Sequence, residues 1–568
     1  MTNNQPFSNY LFLNSLARSV RSLLIPCLET CLVLIALSGV SVDAFSQTDV
    51  PRWSRFEQTF ISAKEYENPL YDLKEFYAIF TAPSGLTQKI NGFWDGGAEF
   101  KVRFAPDEVG EWQYETFCSD TNNTGLHGKK LHFTCKENDS DQTIYQRGSL
   151  IQPKGTYHLA YHDGTPFLWV GCTAWNGGLK STEEEWDTYL QHRVDHHYSV
   201  IQLVTTQWRG GDQNSEGQVA YEYTDQLRIN PEFYEHMDQK IDRVNEYGLI
   251  AAPVLLWALP VGPGRNLSPG YSLPLDEAVM LAKYQVARYG GNQVVWILGG
   301  DGRYAREYEQ RWLEIGRRVF GEDHPGLVAQ HPHGLLWIGD NHAEEDWLDI
   351  VGYQSSHSKA QGTVDWINKG PVATRWQHLP ARPVINLEPI YEELKPDFTD
   401  EDVRNASYWS LFATPISGIT YGANSIWPWI REGESILNHG TPENLKTWRE
   451  SIDLPGSLQI GYLAQFLAMY EWWNLRPANE LLVAQPGEEE YNHFISVVRS
   501  LDQQTVLVYV PHAATVQLYN ADHATYAGEW FNPSNNQTSK AAVKTTDGLL
   551  EVASPEETDL VLVLRRTK

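Results

Sequence analysis

Val294-Val295-Trp296-Ile297-Leu298-Gly299-Gly300-Asp301 runs an apolar stretch straight into a glycine pair and a single carboxylate. So short and continuous an apolar run, stopped by glycine, reads as a strand buried on both faces, as in a parallel sheet. Similar runs lie upstream at 167–171, 200–204 and 249–256, and downstream at 326–330, 349–353, 383–387 and 418–421. Amphipathic stretches separate several of them. One opens at Ser181 or Thr182 with Glu183 to Glu185 in its first turn, where a helix dipole favours acidic residues; others open at Asn230-Pro231 and Pro274 or cover 305–320 and 401–412. Eight strands alternating with helices predict an α/β fold, a (β/α)8 TIM barrel, rather than an open doubly wound sheet. No G-x-G-x-x-G follows an early strand to suggest a dinucleotide site.

The barrel is assigned to residues 146–455. Residues 45–145 alternate in period two, as in Glu99-Phe100-Lys101-Val102-Arg103-Phe104, with turn residues between the runs, and read as an N-terminal β-sandwich. Residues 456–568 start with a helical connection and return to period two at Thr505-Val506-Leu507-Val508-Tyr509-Val510 and Leu560-Val561-Leu562-Val563-Leu564, a C-terminal β-sandwich. Residues 1–44 carry Arg18 and Arg21, then an apolar stretch broken by Pro26 and Glu29, then Val42-Asp43-Ala44. This reads as a secretory signal peptide, with a membrane anchor as the alternative, and places the mature chain in the secreted or periplasmic space. No membrane association is expected after cleavage. Cys118 and Cys135 flank the turn-rich 119–125 segment and are candidates for a hairpin-closing disulfide; Cys172, at a strand end, reads as a buried small side chain.

A net charge of −28 argues against nucleic acid and anionic surfaces as partners, since both draw on excess Lys and Arg. Aromatic residues make up 12%, with 21 Trp and 29 Tyr, and flat rings with a polar edge suit the faces of sugars. At the C-terminal strand ends, where such barrels keep their chemistry, only Asp301 after strand four and Glu388 after strand seven are acidic. Glycoside hydrolysis needs two carboxyl groups on opposite sides of the scissile bond, and strands four and seven face each other across an eight-strand barrel. The same rim offers Trp175, Asn176, Gln207, Trp208, Trp257, Arg303, His331, His333, His357, Tyr391 and Trp427 as substrate-binding candidates. The histidine spacing is not that of a zinc motif, so no metal and no cofactor are expected, and no G-x-S-x-G suggests an esterase.

The segments Phe167-Leu168-Trp169-Val170-Gly171-Cys172-Thr173-Ala174-Trp175, Trp296 to Asp301, Gln330-His331-Pro332-His333-Gly334 and Val384-Ile385-Asn386-Leu387-Glu388-Pro389-Ile390-Tyr391-Glu392 resemble the apiosidase-like (β/α)8 domain of bacterial carbohydrate-degrading enzymes, related to glycoside hydrolase family 140. Residues 52–140 resemble the β-sandwich that often precedes that barrel. The C-terminal region, with Glu471-Trp472-Trp473 and Gly528-Glu529-Trp530-Phe531, is similar to the β-domain that often follows it, sometimes labelled collagen-binding and read here as an accessory support. The resemblance implies Asp301 as acid/base and Glu388 as nucleophile, the pair that the strand ends also single out. The expected function is a secreted glycoside hydrolase acting on plant or algal poly- or oligosaccharides. A retaining outcome is expected, with an inverting one left open because Asp is shorter than Glu. Two rival readings are a non-catalytic carbohydrate-binding protein using the aromatic mouth and a surface adhesin binding through its terminal β-domain. Sugar identity, exo or endo action and oligomeric state are not specified by the sequence.

Overall fold

The computed structural model describes residues 49–567, apart from a few positions within them. The signal-peptide segment 1–44 lies outside the described residues. The eight barrel strands are β1 (Trp169–Thr173), β2 (Val200–Val204), β3 (Ile250–Trp257), β4 (Val295–Gly300), β5 (Leu327–Ala329), β6 (Val351–Gln354), β7 (Val384–Glu388) and β8 (Gly418–Tyr421). They form one parallel sheet in the order β5-β4-β3-β2-β1-β8-β7-β6, and a parallel bridge between Ala329 and Ile350 joins its two edges into a barrel. Every strand residue is buried, which is why these runs are apolar on both faces instead of alternating.

The helices start where local chemistry allows. Thr182 and Glu185 form a reciprocal capping box ahead of Glu183–Asp195, and Pro231 follows Asn230 at the first turn of Pro231–Glu246. Inside the barrel, polar side chains satisfy one another. Trp169 Nε1 donates to Thr420 Oγ1 (3.0 Å), Thr420 Oγ1 to Gln202 Oε1 (2.7 Å), and Gln202 Nε2 to the Leu387 carbonyl (3.0 Å), tying β1, β2, β7 and β8 together.

The N-terminal strands form a sheet of seven in which Thr87–Trp94 pairs first with Phe76–Thr81 and then with Glu99–Phe104, so the sheet folds over a core of Phe56, Phe80, Phe104, Trp112 and Phe133. The C-terminal region has a six-stranded sheet and a three-stranded sheet enclosing Val508, Val516, Trp530, Leu550 and Leu562. Both are welded to the barrel by buried ions. Asp238 accepts two bonds from Arg288 (2.7 and 2.8 Å) and one from Arg103 of the N-terminal sheet (2.9 Å), while Arg404 grips Asp559 of the C-terminal sheet (2.8 and 2.9 Å). Among the described residues no helix is long and apolar enough to cross a membrane.

The cysteine expectation is corrected. Cys118 and Cys135 are buried, unbridged thiols. Cys135 lies opposite Gly110, at the far end of the strand Gly110–Cys118 from Cys118. Eight residues of strand separate the two positions by about 27 Å, far beyond the reach of a disulfide. A reducing agent is expected to leave the melting temperature unchanged; a fall on reduction would contradict this placement.

Candidate active site

Register puts the rim residues level. Trp257 pairs with Gly300 at the ends of β3 and β4, and Gln354 pairs with Glu388 at the ends of β6 and β7. The turn after β4 is shaped by its neighbours: a Cβ on Gly300 would meet the Trp257 ring at 2.6 Å, so only glycine lets the two strands close here. The next residue, Asp301, takes a left-handed φ of 52°, a conformation that short polar residues tolerate best. Its backbone N–H donates to His331 Nδ1 (3.1 Å), and the β5 extension continues the pairing, with His333 N donating to the Gly302 carbonyl (2.9 Å).

The two carboxyl groups sit in opposite environments. Glu388 is buried between two imidazoles, with His357 Nε2 at 2.8 Å from Oε1 and His331 Nε2 at 3.0 Å from Oε2. Because the Asp301 N–H occupies His331 Nδ1, that ring carries its hydrogen on Nε2, facing the carboxylate. Burial alone would push Glu388 up, but the two histidines outweigh it and hold the group at about 2. Asp301 is half-buried, and its carboxylate caps no helix and has no hydrogen-bond partner among the described residues. Desolvation first, and the Glu388 charge second, raise it to about 6, against opposing pulls from His331, Arg209 and His357. Asp301 is therefore protonated mainly below pH 6.

The remaining candidates divide into residues free for a ligand and residues committed to the fold. Trp175 donates to Tyr391 Oη (2.9 Å) and meets His331 edge-on at 5.6 Å. Tyr391 packs on His357 at 4.2 Å and is pushed well above its usual value by burial and by Glu388, so it stays protonated beside the carboxylate. Trp257 and Trp427 have buried indole N–H groups without a partner among the described residues. His333 is half-buried and Arg303 is exposed; Arg303 makes no ion pair with Asp301, and its carbonyl accepts from Tyr271 Oη (2.8 Å).

Three substrate candidates have their side chains taken up within the protein. The Asn176 amide donates to the Gly210 and Pro428 carbonyls and accepts from Trp208 Nε1, joining the loops. The Gln207 amide is likewise spent on Tyr221 O and Ala220 N (2.7 and 2.9 Å). Trp208, 2% exposed, is packing between Trp257 and Trp427. Two residues absent from the sequence reading stand near the carboxylates: Arg209, whose charge acts on Asp301, and His439, which feels that of Glu388. Neither lies at a strand end, and only the Trp208-Arg209 adjacency could have drawn attention to the first. Among the described residues no group of three or more His, Cys, Asp and Glu side chains is arranged to hold a metal. A cavity of about 690 Å³ lies instead between the N-terminal sheet and the barrel helices.

Residues 153–474, more than half of the chain, match the apiosidase-like catalytic domain. The chain belongs to this family. Its enzymatic class is accordingly that of a glycosidase. Residues 49–119 match a domain of unknown function, DUF5060. A solved glycoside hydrolase superposes with a TM-score of 0.63 at 23% identity, covering 74% of this chain and 97% of its own. A family 5 glycoside hydrolase from Bacteroides vulgatus gives 0.64 at 23% identity, covering 74% and 94%. A candidate glycoside hydrolase from the same organism gives 0.66 at 16% identity and covers 92% of this chain and all of its own. At these identities the likeness is one of fold. No curated protein matches the chain.

The histidine pair makes a testable demand on the apiosidase-like domain. His357→Ala removes one charge-assisted bond to Glu388, worth about 1.5–3 kcal/mol, so the acid limb of a pH–rate profile should rise by about 1–2 pH units. An unmoved limb would mean that His357 does not hold the carboxylate.

Proposed function

We propose that the protein is an exported glycoside hydrolase that cleaves plant or algal poly- or oligosaccharides, with Asp301 as acid/base and Glu388 as nucleophile. The observation that carries this reading is the opposite displacement of two carboxyl groups in one aromatic-walled mouth: Asp301 up to about 6, Glu388 down to about 2. Between those values one group is an acid and the other an anion, the two forms that glycosidic cleavage requires.

In the first step the Asp301 O–H gives its proton to the glycosidic oxygen as that bond breaks, and the Glu388 carboxylate attacks the anomeric carbon to form a glycosyl ester. His331 and His357 aim the carboxylate and are relieved of part of its charge as the ester forms. In the second step Asp301, now ionised, takes a proton from water, which attacks the same carbon and frees Glu388. Two displacements at one carbon retain its configuration. The kinship to glycoside hydrolase family 140 and the sugar cleaved belong to this proposal as well.

A leaving-group series tests the acid role. Asp301→Asn should lose about 10²–10⁴-fold against sugar leaving groups but far less against dinitrophenyl glycosides, which depart without a proton. For wild type, activity should be lost as pH rises through about 6, because Asp301 must be protonated. An equal loss of activity on both classes of substrate would remove Asp301 from the acid role.

A further inference from the structure

One guanidinium at the barrel mouth has no carboxylate partner. Arg209 forms no ion pair among the described residues, although the chain holds 72 Asp and Glu against 44 Lys and Arg. It is half-buried, so part of its hydration is lost without a compensating charge.

Two neighbouring loops hold it in place. Its stem is backed by the loop after β3, where a Cβ on Gly264 would lie 3.2 Å from both Arg209 Cβ and Cδ. Its carbonyl accepts from Asn438 Nδ2 (2.8 Å), from the loop after β8. Its Nη2 donates to His439 Nε2 (2.6 Å), and His439 Nδ1 bonds the Leu437 carbonyl (2.7 Å). Since the carbonyl can only accept, His439 carries its hydrogen on Nδ1, and Nε2 is free to accept from the guanidinium; the ring is neutral. Trp427 fixes that ring edge-on at 4.8 Å.

A guanidinium has five N–H donors, and His439 takes one. Nε and Nη1 have no partner among the described residues. The charge of Arg209 acts on Asp301, and its partner His439 feels that of Glu388. A side chain held by two neighbouring loops, short of acceptors and acting on the acid by its charge, is arranged to receive a ligand's oxygens.

We propose that Arg209, locked by neutral His439, is a substrate-binding residue that donates to oxygens of the sugar unit seated against Asp301. This rests on the glycosidase reading of the same mouth. Sequence position hides it, because the residue follows Trp208 well past the end of β2. Arg209 grips oxygen ligands with a planar fork that a lysine cannot reproduce.

The test compares wild type with Arg209→Gln, Arg209→Lys and His439→Leu on a glycoside the enzyme cleaves, with Asp301→Asn as the control for the glycosidase reading. Arg209→Gln should lower kcat/KM by about 10²-fold, mostly through KM, with the melting temperature near wild type. Its alkaline limb should move upward, because a positive charge that opposes the rise of Asp301 is gone; Glu388, His331 and His357, which also face Asp301, are unchanged. Arg209→Lys should restore the limb but not KM, and His439→Leu should raise KM with a smaller shift. A merely structural Arg209 would change melting temperature and leave KM and the limb in place, which would overturn the proposal. Should wild type cleave no nitrophenyl glycoside, calorimetric titration of those glycosides into wild type and Arg209→Gln decides it. Affinity lost in the variant supports the proposal and isolates the failure to the hydrolase reading. Equal affinity, or none in wild type, overturns the proposal.

Discussion

Replacing Glu388 with Gln is expected to lower kcat by at least about 10²-fold while leaving the melting temperature near wild type. The substitution keeps shape and removes the charge that attacks the anomeric carbon. The site can absorb the amide. His331 must keep its hydrogen on Nε2, because its Nδ1 is occupied by the Asp301 N–H, and that hydrogen, 3.0 Å from Oε2, suits the Gln carbonyl in the same place. His357 has no partner at Nδ1 among the described residues and can move its hydrogen there, letting Nε2 accept from the new NH2. Loss of the Glu388 charge also removes the second largest cause of the raised Asp301 value, so Asp301 should titrate lower in the variant. A folded variant with wild-type turnover would take Glu388 out of the chemistry.

Removing the charge of Asp238 is expected to be the most damaging change to stability away from the mouth. Arg288 is fully buried and Arg103 nearly so, and this carboxylate is the one that both share; desolvation would raise Asp238, and the two guanidinium groups hold it below its ordinary value. Asp95 and Glu57 complete the cluster, with Lys101 on Asp95. Asp238→Asn leaves two buried cations sharing fewer anions and should cost about 3–5 kcal/mol in denaturant unfolding. The exposed Arg318–Asp276 pair provides the contrast, and Arg318→Gln should cost about 1 kcal/mol or less. Similar losses for the two variants would show that the cluster does not weld the N-terminal sheet to the barrel.

That cluster also shows where the sequence ceases to be readable. Within Glu99–Phe104 the alternation holds for Phe100, Val102 and Phe104, but Arg103, on the outward face, is buried too. A period-two pattern reports one packed face. It contains nothing about a second surface, here the helices bearing Asp238 and Arg288, that covers the other. The barrel was more legible, because strands buried on both faces are apolar runs whatever packs around them; the run at 418–421 coincides with β8. Asp301 and Glu388 could be singled out because carboxylates are scarce at strand ends. Asn176 and Gln207 show the limit of that rule: an amide at a rim announces hydrogen bonding, but not whether its partner is a sugar or the main chain. Arg209 and His439 meet only when the loops after β2 and β8 close on each other, and no spacing encodes that contact. Cys118 and Cys135 looked adjacent across a turn, whereas antiparallel register puts one at each end of its hairpin.

Sugar release from a panel of plant and algal polysaccharides and aryl glycosides, by wild type beside Asp301→Asn and Glu388→Gln, tests the two-carboxylate assignment most directly. Release by wild type below pH 6, falling by about 10²-fold or more in both folded variants, is the expected result. Sugar binding without cleavage, equal in wild type and both variants, would contradict it and leave a carbohydrate-binding protein on a glycosidase fold.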